Sequence, residues 1–246
     1  SVEVTGNLPS TPYVTMTTRL MQRFGVDVTE ELGPNGPRWS VAAPRCYTAT
    51  DLTIEPDASN ATYFLAAAAV AGGRVTVDGL GTSSIQGDAR FVDVLERMGC
   101  RIEREPARLT VHGPPPGRQL RGVDVDLNDM PDTAQTLAVV ALFADGPTVI
   151  RNVENLRVKE TDRLAALTRE LTKLGADVEE AAAGLTVHPP KRLVPAAVAT
   201  YDDHRMAMSF ALACLCCSGV EINDAECCAK TFPDFFERFE RMIRGE

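Results

Sequence analysis

The chain has 246 residues, enough for one large domain or one and a half smaller ones with a sizeable core. Its net charge of −9 excludes the broad positive field of a general nucleic-acid or acidic-membrane binder, so any anion site must be built locally from converging cations. No apolar run is long enough to span a bilayer, and the opening residues show no charged-then-apolar signal segment.

The seven cysteines do not have the spacing of a metal site. We interpret Cys214 and Cys217, three residues apart on a predicted buried helix, as small apolar core residues. We therefore predict reduced thiols in a cytoplasmic protein, and no metal.

The predicted elements begin with a short strand, a helix at 11–24 and a closing strand pair at 26–28 and 39–43. A repeat follows. LTVHG at 109–113 recurs as LTVHP at 185–189, and helices with matching apolar positions precede both copies. One unit reads strand, helix, strand, helix, strand, strand. The helices of the two copies are predicted at 60–71 and 88–98, and at 133–144 and 162–174.

A third copy begins at 201–205 and continues through a helix at 206–217, a strand at 220–223 and a helix at 233–243, without the last two strands. Residues 1–54 resemble only the second half of a unit. We therefore expect a fold that is incomplete at both ends and is completed by another polypeptide or by an absent part of the original protein.

The stretch NLRVKETDR at 155–163 places several charges at the start of an amphipathic helix, with Thr161 as its predicted N-cap. A cation in the first helical turn is unfavourable, because free amides and the helix dipole favour negative charge there. Arg163 therefore needs a compensating anion. Two interpretations stay open: a salt bridge to Glu160, or a bound anionic ligand.

Three further joints before helices carry polar clusters. In LNDMPDTAQT, Asp132 stands at the entry of an apolar helix, where an N-cap role is the simplest interpretation. In YDDHRMAM, Asp203 is predicted to cap a helix whose first turn holds His204 and Arg205. In AKTFPDFF, Lys230 lies in the loop before the last helix.

Cations at several separate helix starts, beside free backbone amides, form a pattern typical of a clamp for a small, multiply charged anion. These cations are Arg163, Arg205 and Lys230. The candidate proton carriers among them are Asp132, Glu160 and His204. Since no phosphate-binding glycine loop, dinucleotide motif or metal-ligand spacing occurs, we expect catalysis without a cofactor, by positioning, charge stabilisation and proton transfer.

Five segments together resemble the C-terminal half of the 3-phosphoshikimate 1-carboxyvinyltransferase (EPSP synthase) family: EPDASNATYFLAAAA, IQGDARFVDVLERMG, NLRVKETDRL, DDHRMAM and AKTFPDFF. The resemblance runs from about residue 5 to the end. It implies an α/β (α+β) fold of repeated βαβαββ units arranged as an inside-out barrel. It also implies transfer of the enolpyruvyl group of phosphoenolpyruvate to the 5-hydroxyl of shikimate 3-phosphate, releasing phosphate, in the shikimate pathway to aromatic amino acids. Glyphosate inhibits the family at the phosphoenolpyruvate site.

The resemblance also implies roles for individual residues. It assigns phosphoenolpyruvate binding to Arg163, Arg205 and Lys230. It assigns shikimate 3-phosphate binding to Ser10, Tyr13, Asp132, Asn155 and Lys159. Asp132 resembles the base that takes the 5-hydroxyl proton, Glu160 the residue that handles the proton at the phosphoenolpyruvate methylene carbon, and His204 a supporting group.

The domain organisation implied is the end of an upper domain at 1–54 and a main domain of nearly three units at 55–246. The family's N-terminal half contributes a Lys-Ser pair, a further arginine and a Ser-Ser-Gln triplet that have no counterpart here. We therefore expect activity to need a complementary N-terminal half. Two alternatives stay open: an enolpyruvyltransferase acting on UDP-N-acetylglucosamine, and a non-catalytic anion-binding half-fold.

Overall fold

The protein is described by a computed structural model that covers residues 1–6 and 8–246. Its α-helices in these residues are α1 (Thr11–Arg23), α2 (Ala58–Ala71), α3 (Phe91–Arg97), α4 (Ala134–Val140), α5 (Arg163–Lys173), α6 (His204–Cys216) and α7 (Phe235–Arg244). The first six strands are β1 (Val2–Glu3), β2 (Thr29–Leu32), β3 (Pro37–Ser40), β4 (Arg74–Asp78), β5 (Arg101–Glu105) and β6 (Arg108–His112). The other six are β7 (Asp124–Asp126), β8 (Thr148–Arg151), β9 (Asp177–Ala181), β10 (Gly184–His188), β11 (Ala197–Val198) and β12 (Glu221–Ile222).

The predicted repeat is present in the sheets. In the second copy β7 runs parallel to β8, and β8 and β9 both pair antiparallel with β10, giving the order β7-β8-β10-β9. In the first copy the order is β4-β6-β5, with β6 in the same central position. The third copy retains the parallel pair β11 and β12. The βαβαββ pattern predicted from the sequence is therefore complete in the second copy, whereas among the described residues the first copy lacks the opening strand and the third copy lacks the last two.

Three helices form the centre of the main body, and the sheets lie outside them. Helices α2, α4 and α6 pack against one another. Every residue of α4 is buried, which explains why its sequence is apolar on all sides rather than amphipathic. The hydroxyls of Thr62 and Thr136 lie 3.2 Å apart and satisfy each other between α2 and α4. This is the inside-out arrangement that the family resemblance implies.

Several predicted boundaries are wrong. The strand predicted at 26–28 lies instead at β2, where it pairs with β3. Val26 is buried, and its amide bonds to the carbonyl of Met21 as the chain leaves α1. The helix predicted at 133–144 is a short α-helix with a 3₁₀ turn at each end, Pro131–Thr133 and Ala141–Phe143. The last helix begins at Phe235, two residues later than predicted.

The described residues of the segment 1–54 contain α1 and the three-stranded sheet β1-β3-β2, here called the N-terminal layer. No residue of α1 is buried, so this layer depends on a few contacts with the rest of the chain. The amide of Ser10 donates to the carbonyl of Asn128 at 2.8 Å. Gly87 allows Pro12 to approach, since a Cβ at that position would lie 2.8 Å from the Pro12 side chain. The domain boundary at 54 and 55 stays a prediction.

All seven cysteines are free thiols. The interpretation of Cys214 as a core residue is wrong, because the last turn of α6 lies at the surface and exposes it. Cys217, just beyond the end of α6, is half-buried and packs against the core, so the interpretation holds in part for this residue. Cys100 and Cys228 are the buried ones. Among the helices of the described residues, none combines the length and apolarity needed to cross a bilayer.

Candidate functional site

Asp132 lies at the centre of a cluster of charges at the start of α4. Its carboxylate accepts hydrogen bonds from Arg163 Nη1 at 3.2 Å and from Arg205 Nη2 at 3.0 Å. Lys159 Nζ is 3.9 Å from the same carboxylate, and the Tyr13 hydroxyl is 3.5 Å away. The N-cap interpretation of Asp132 is therefore wrong. The 3₁₀ turn before α4 leaves this side chain free of capping bonds, and it pairs with cations from α5 and α6 instead.

Helix α5 begins at Arg163, and its N-cap is Asp162 rather than the predicted Thr161. The Asp162 carboxylate accepts a hydrogen bond from the amide of Ala165 at 3.1 Å, and it also pairs with Arg157 at 3.0 Å. A carboxylate at this position is a stronger partner for the helix dipole than a hydroxyl. The cap fixes the direction in which Arg163 leaves the helix.

Arg163 is almost fully buried, with 1% of its side chain exposed. Its Nε donates to Asp203 at 2.7 Å and its Nη2 donates to Glu160 at 2.6 Å. The salt bridge to Glu160, one of the two interpretations left open by the sequence, is therefore present. Three carboxylates surround this one guanidinium, which offsets the cost of burying its charge.

Helix α6 begins at His204, with Asp203 as its N-cap, as predicted. The Asp203 carboxylate accepts from the amide of Arg205 at 2.8 Å while also pairing with Arg163. Arg205 Nη1 lies 3.4 Å from the hydroxyl of Tyr63, in addition to its bond to Asp132. Burial acts to lower the pKa of Arg205, but Tyr63 and Asp132 outweigh it, and the pKa is raised. Arg205 is therefore a permanent cation.

Glu160 joins the second pair of cations. Its two oxygens accept from Arg163 Nη2 and from Lys230 Nζ, each at 2.6 Å. Burial acts to raise the pKa of Glu160, but the hydrogen bond from Lys230 and the charges of both cations outweigh it and lower the pKa to about 2. Glu160 is ionised in this arrangement. The cation on its far side, Lys230, is the most open of the cluster, with 56% of its side chain exposed.

His204 lies close to Glu160. Its Nδ1 is 3.8 Å from Glu160 and is buried, with no hydrogen-bond partner in the part of the chain that the structure describes. Burial, and secondarily the charge of Arg205, lowers the pKa of His204, so the imidazole is neutral near pH 7. The histidine is close enough to exchange a proton with Glu160 after a small movement, but it makes no bond to it here.

Two predicted site residues make no bond to this cluster. Ser10 has a positive φ of 60° at the start of α1, and its side chain forms no capping bond. Asn155 lies in the 3₁₀ turn Glu154–Val158, and its Oδ1 is buried with no hydrogen-bond partner among the described residues. The structure thus brings most of the predicted side chains together: Tyr13, Asp132, Lys159, Glu160, Arg163, His204, Arg205 and Lys230.

Sequence reasoning missed two members of the site. Asp203 was recognised as a cap, but its pairing with Arg163 was not; the only signal was the second acid of YDDHR. Tyr63, a fully buried side chain in an apolar helix, gave no signal. No group of three His, Cys, Asp or Glu in the described part of the chain has the geometry to hold a metal ion. The arrangement suits anion binding combined with proton transfer by carboxylates.

Comparisons with known proteins bear on this arrangement. A family model described as EPSP synthase (3-phosphoshikimate 1-carboxyvinyltransferase) matches residues 1–239. The chain belongs to the EPSP synthase family. It is 50% identical to the chloroplastic 3-phosphoshikimate 1-carboxyvinyltransferase of Arabidopsis thaliana, over 99% of this chain and 47% of that relative. It is also 50% identical to the enzyme of that name from Nostoc sp., over 99% of this chain and 56% of the relative.

The chain therefore spans about half the length of these curated members of the EPSP synthase family. A solved EPSP synthase from Acinetobacter baumannii superposes with a TM-score of 0.76 at 27% identity, covering 92% of this chain and 53% of that one. The family and the fold predicted from the sequence are confirmed. The roles of individual site residues stay predictions.

Proposed function

We propose that this chain supplies one half of the active site of an enolpyruvyltransferase of the shikimate pathway. The reaction moves the enolpyruvyl group of phosphoenolpyruvate to the 5-hydroxyl of shikimate 3-phosphate and releases phosphate. The observation that carries the proposal is the pairing of two carboxylates, Asp132 and Glu160, with the two terminal nitrogens of the Arg163 guanidinium, with Arg205 and Lys230 as outer cations. Two acids in a ring of cations provide both proton acceptors and an anion site.

Phosphoenolpyruvate binds, in this proposal, to Arg163, Arg205 and Lys230. Lys230 is more than half exposed and Arg205 is 12% exposed, so an anion reaches these two most readily. Its phosphate and carboxylate compete with the acids of the protein for the same donors. A cation that also binds the substrate stabilises the negative charge of Asp132 or Glu160 less, and the proton affinity of that carboxylate therefore rises. Substrate binding itself therefore prepares the acids for proton transfer.

The proton steps follow from this arrangement. Asp132 takes the proton of the 5-hydroxyl, and the oxygen of that hydroxyl forms a bond to the enolpyruvyl carbon that carries the phosphate. Glu160, ionised before substrate binds, takes up a proton from solvent as phosphoenolpyruvate occupies its cations, gives that proton to the methylene carbon, and takes one back when the carbon–oxygen bond to phosphate breaks. His204, neutral and 3.8 Å from Glu160, supports that exchange. The cations stabilise the negative charge on the departing phosphate.

Shikimate 3-phosphate is held, in the same proposal, by the residues that border Asp132. Lys159 Nζ lies 3.9 Å from that carboxylate and is 37% exposed, which leaves it free to bind a phosphate as well. The Tyr13 hydroxyl faces Asp132 from α1. Asn155 is assigned here by the family resemblance, and its buried Oδ1, which has no partner among the described residues, would have to be uncovered to bind a substrate hydroxyl. Ser10 stands one turn before Tyr13 and completes the set: Ser10, Tyr13, Asp132, Asn155 and Lys159.

The remaining substrate contacts come, we propose, from a complementary N-terminal half, supplied by a preceding segment or by a second chain. The curated relatives are about twice as long as this chain. A reducing compartment such as the cytoplasm agrees with the seven free thiols, and the cytoplasmic location stays a prediction.

Phosphate release tests the proposal. The chain is combined with the N-terminal half of a related EPSP synthase, and inorganic phosphate is measured with phosphoenolpyruvate and shikimate 3-phosphate together and singly. We expect release only when both substrates and both halves are present. Release with UDP-N-acetylglucosamine in place of shikimate 3-phosphate would favour the sibling enolpyruvyltransferase. Binding of phosphoenolpyruvate without release under any condition would instead favour a non-catalytic anion-binding module.

A further inference from the structure

A second buried charge on α5 lies outside the cluster described above. Glu170 follows Arg163 by seven residues, two helical turns, so both side chains leave the same face of the helix. Its carboxylate is 0% exposed. It accepts hydrogen bonds from the hydroxyl of Tyr201 at 2.6 Å, from the amide of Ala199 at 3.0 Å, and from Lys173 Nζ at 2.7 Å.

The bonds from Ala199 and Tyr201 connect Glu170 to residues 199–203, a segment whose backbone is strained. Tyr201 and Asp202 have φ values of 57° and 55°, a left-handed conformation that non-glycine residues rarely adopt and that two successive residues adopt more rarely still. Such a conformation persists only where the surrounding contacts hold it. Glu170 contacts the segment through Ala199 and Tyr201, on the side away from α6.

The other end of the segment leads directly into the cluster. Asp203 follows the left-handed pair, caps α6 and bonds to Arg163, and Arg205 comes two residues later. Helix α5 therefore holds the segment at both ends, with Glu170 bonded to Tyr201 and Arg163 bonded to Asp203. A left-handed pair fixed in this way determines where the first turn of α6 begins, and with it where the Arg205 guanidinium meets Asp132.

We propose that Glu170 and Tyr201 are positioning residues for the enolpyruvyl-transfer site, acting by holding the left-handed turn that places Arg205. The inference rests on the function proposed above. Neither side chain touches the anion site. Their effect passes through Asp203 and the start of α6, so it falls on phosphoenolpyruvate binding rather than on the proton-transfer groups themselves.

Tyr201→Phe tests the proposal, because it removes the hydroxyl and keeps the ring. In the protein completed by its N-terminal half, we expect the KM for phosphoenolpyruvate to rise about tenfold while kcat changes less than about threefold, the signature of lost binding that is equal in ground and transition states. The KM for shikimate 3-phosphate stays within about twofold. Glu170→Ala removes the acceptor of both the Tyr201 hydroxyl and the Ala199 amide, so it should raise the KM for phosphoenolpyruvate at least as much as Tyr201→Phe does, and an unchanged KM would remove Glu170 from the positioning role.

Amide hydrogen exchange gives a readout that does not depend on activity. We expect the amides of Asp203 and Arg205, which bond to Thr200 and to the Asp203 carboxylate, to exchange faster in Tyr201→Phe. Thr110→Val is the matched structural control. It removes a hydroxyl that is bonded at 2.9 Å to Thr76 in the first repeat, and it should lower stability without changing either KM.

The possible failures are distinct. A wild-type protein without phosphoenolpyruvate-dependent activity overturns the proposed function. Normal wild-type activity, with an unchanged phosphoenolpyruvate KM and unchanged exchange in Tyr201→Phe, overturns the positioning role alone. A KM that rises equally in Thr110→Val also overturns it, because general loss of stability would then account for the effect.

Discussion

At the scale of single residues, the site depends on carboxylates that each serve two cations. Asp132 bonds to Arg163 and Arg205, and Glu160 bonds to Arg163 and Lys230. Arg163 is common to both pairs, and its Nε also bonds to Asp203. Because each acid is tied to its neighbours through this guanidinium, changing one charge alters the proton affinity of the others.

Asp132→Asn tests the role of a proton acceptor. The amide has nearly the shape of the carboxylate but cannot take the 5-hydroxyl proton, so we expect kcat to fall by about 10²–10⁴-fold. Phosphoenolpyruvate binding should be kept or improved, because Arg163 and Arg205 lose a competing anion. Asp129→Asn, an exposed acid paired with Arg90, is the matched control and should keep full turnover. Full turnover in Asp132→Asn would remove this residue as the base.

Lys230→Gln tests the electrostatics of Glu160 through pH. The folded pKa of Glu160 is about 2, below its ordinary value of 4.5. Glu160 therefore contributes stability that is fully present above about pH 4.5 and is lost as the pH falls toward 2. In Lys230→Gln the folded pKa moves back toward the ordinary value. The difference between wild type and variant in free energy of unfolding should be constant above about pH 5 and shrink between pH 4.5 and pH 2.

Denaturant unfolding at a series of pH values gives this difference directly. Lys191→Gln is the control, since Lys191 is exposed and forms no ion pair among the described residues, and its effect should not depend on pH. A difference for Lys230→Gln that is the same at pH 3 and pH 7 would contradict the assigned pairing of Lys230 with Glu160.

At the scale of secondary-structure elements, helix starts carry the functional side chains, and their caps set the direction of those side chains. The Asp162 carboxylate caps α5 and also forms an ion pair with Arg157. The Arg157 guanidinium donates in addition to the carbonyl groups of Ala181 and Ala182, in the hairpin between β9 and β10. One carboxylate thus connects the start of α5, the preceding 3₁₀ turn and a hairpin of the same repeat.

Substitutions at Asp162 separate the cap from the ion pair. Asp162→Asn keeps a capping oxygen and loses the charge, whereas Asp162→Ala loses both. We expect Asp162→Ala to lower the free energy of unfolding by about 1 kcal/mol or somewhat more, and Asp162→Asn by less, because the cap contributes more than a partly exposed ion pair. Denaturant unfolding of both variants measures this. Equal losses in the two variants would assign the effect to the ion pair with Arg157.

The elements show which parts of this fold a sequence can predict. Repeat spacing and apolar periodicity located the helices and the antiparallel strands of the main body, because those signals are local. The strand placed at 26–28 was wrong, since Val26 follows the end of α1, is buried and bonds through its amide to Met21, and pairing begins only at Thr29. The N-cap of α5 was predicted one residue too early. Thr161 and Asp162 are both able to cap a helix, and it is the carboxylate of Asp162 that accepts the hydrogen bond from the helix amide.

The partners of the site residues were less predictable. Cations at helix starts were visible in the sequence, and so was their need for anions. The pairing of Arg163 with Asp203, and that of Glu170 with Tyr201, joins separate parts of the chain that only the packed helices bring together. The residues around Glu170 in the sequence carry no signal of its complete burial.

At the scale of the whole molecule, positive side chains are concentrated at a few helix starts although the protein as a whole is negatively charged. The protein carries −9, yet the site proposed to bind an anion gathers Lys159, Arg163, Arg205 and Lys230 at one set of helix starts. The inside-out packing of α2, α4 and α6 explains how this is possible. Equivalent helices of the repeats enter the centre side by side, so the polar residues that precede α4 and α6 meet one another and the start of α5.

The most direct test of the account is calorimetric binding of phosphoenolpyruvate, with shikimate 3-phosphate present, to the chain completed by an N-terminal half. We expect one molecule per site, and an affinity reduced by about 10–150-fold in Arg205→Gln, the loss of one hydrogen-bonded charge of about 1.5–3 kcal/mol. Arg192→Gln, which changes an exposed arginine, should bind like wild type. Equal affinity in wild type and Arg205→Gln, or no binding to either, would contradict the claim that these helix starts form the anion site.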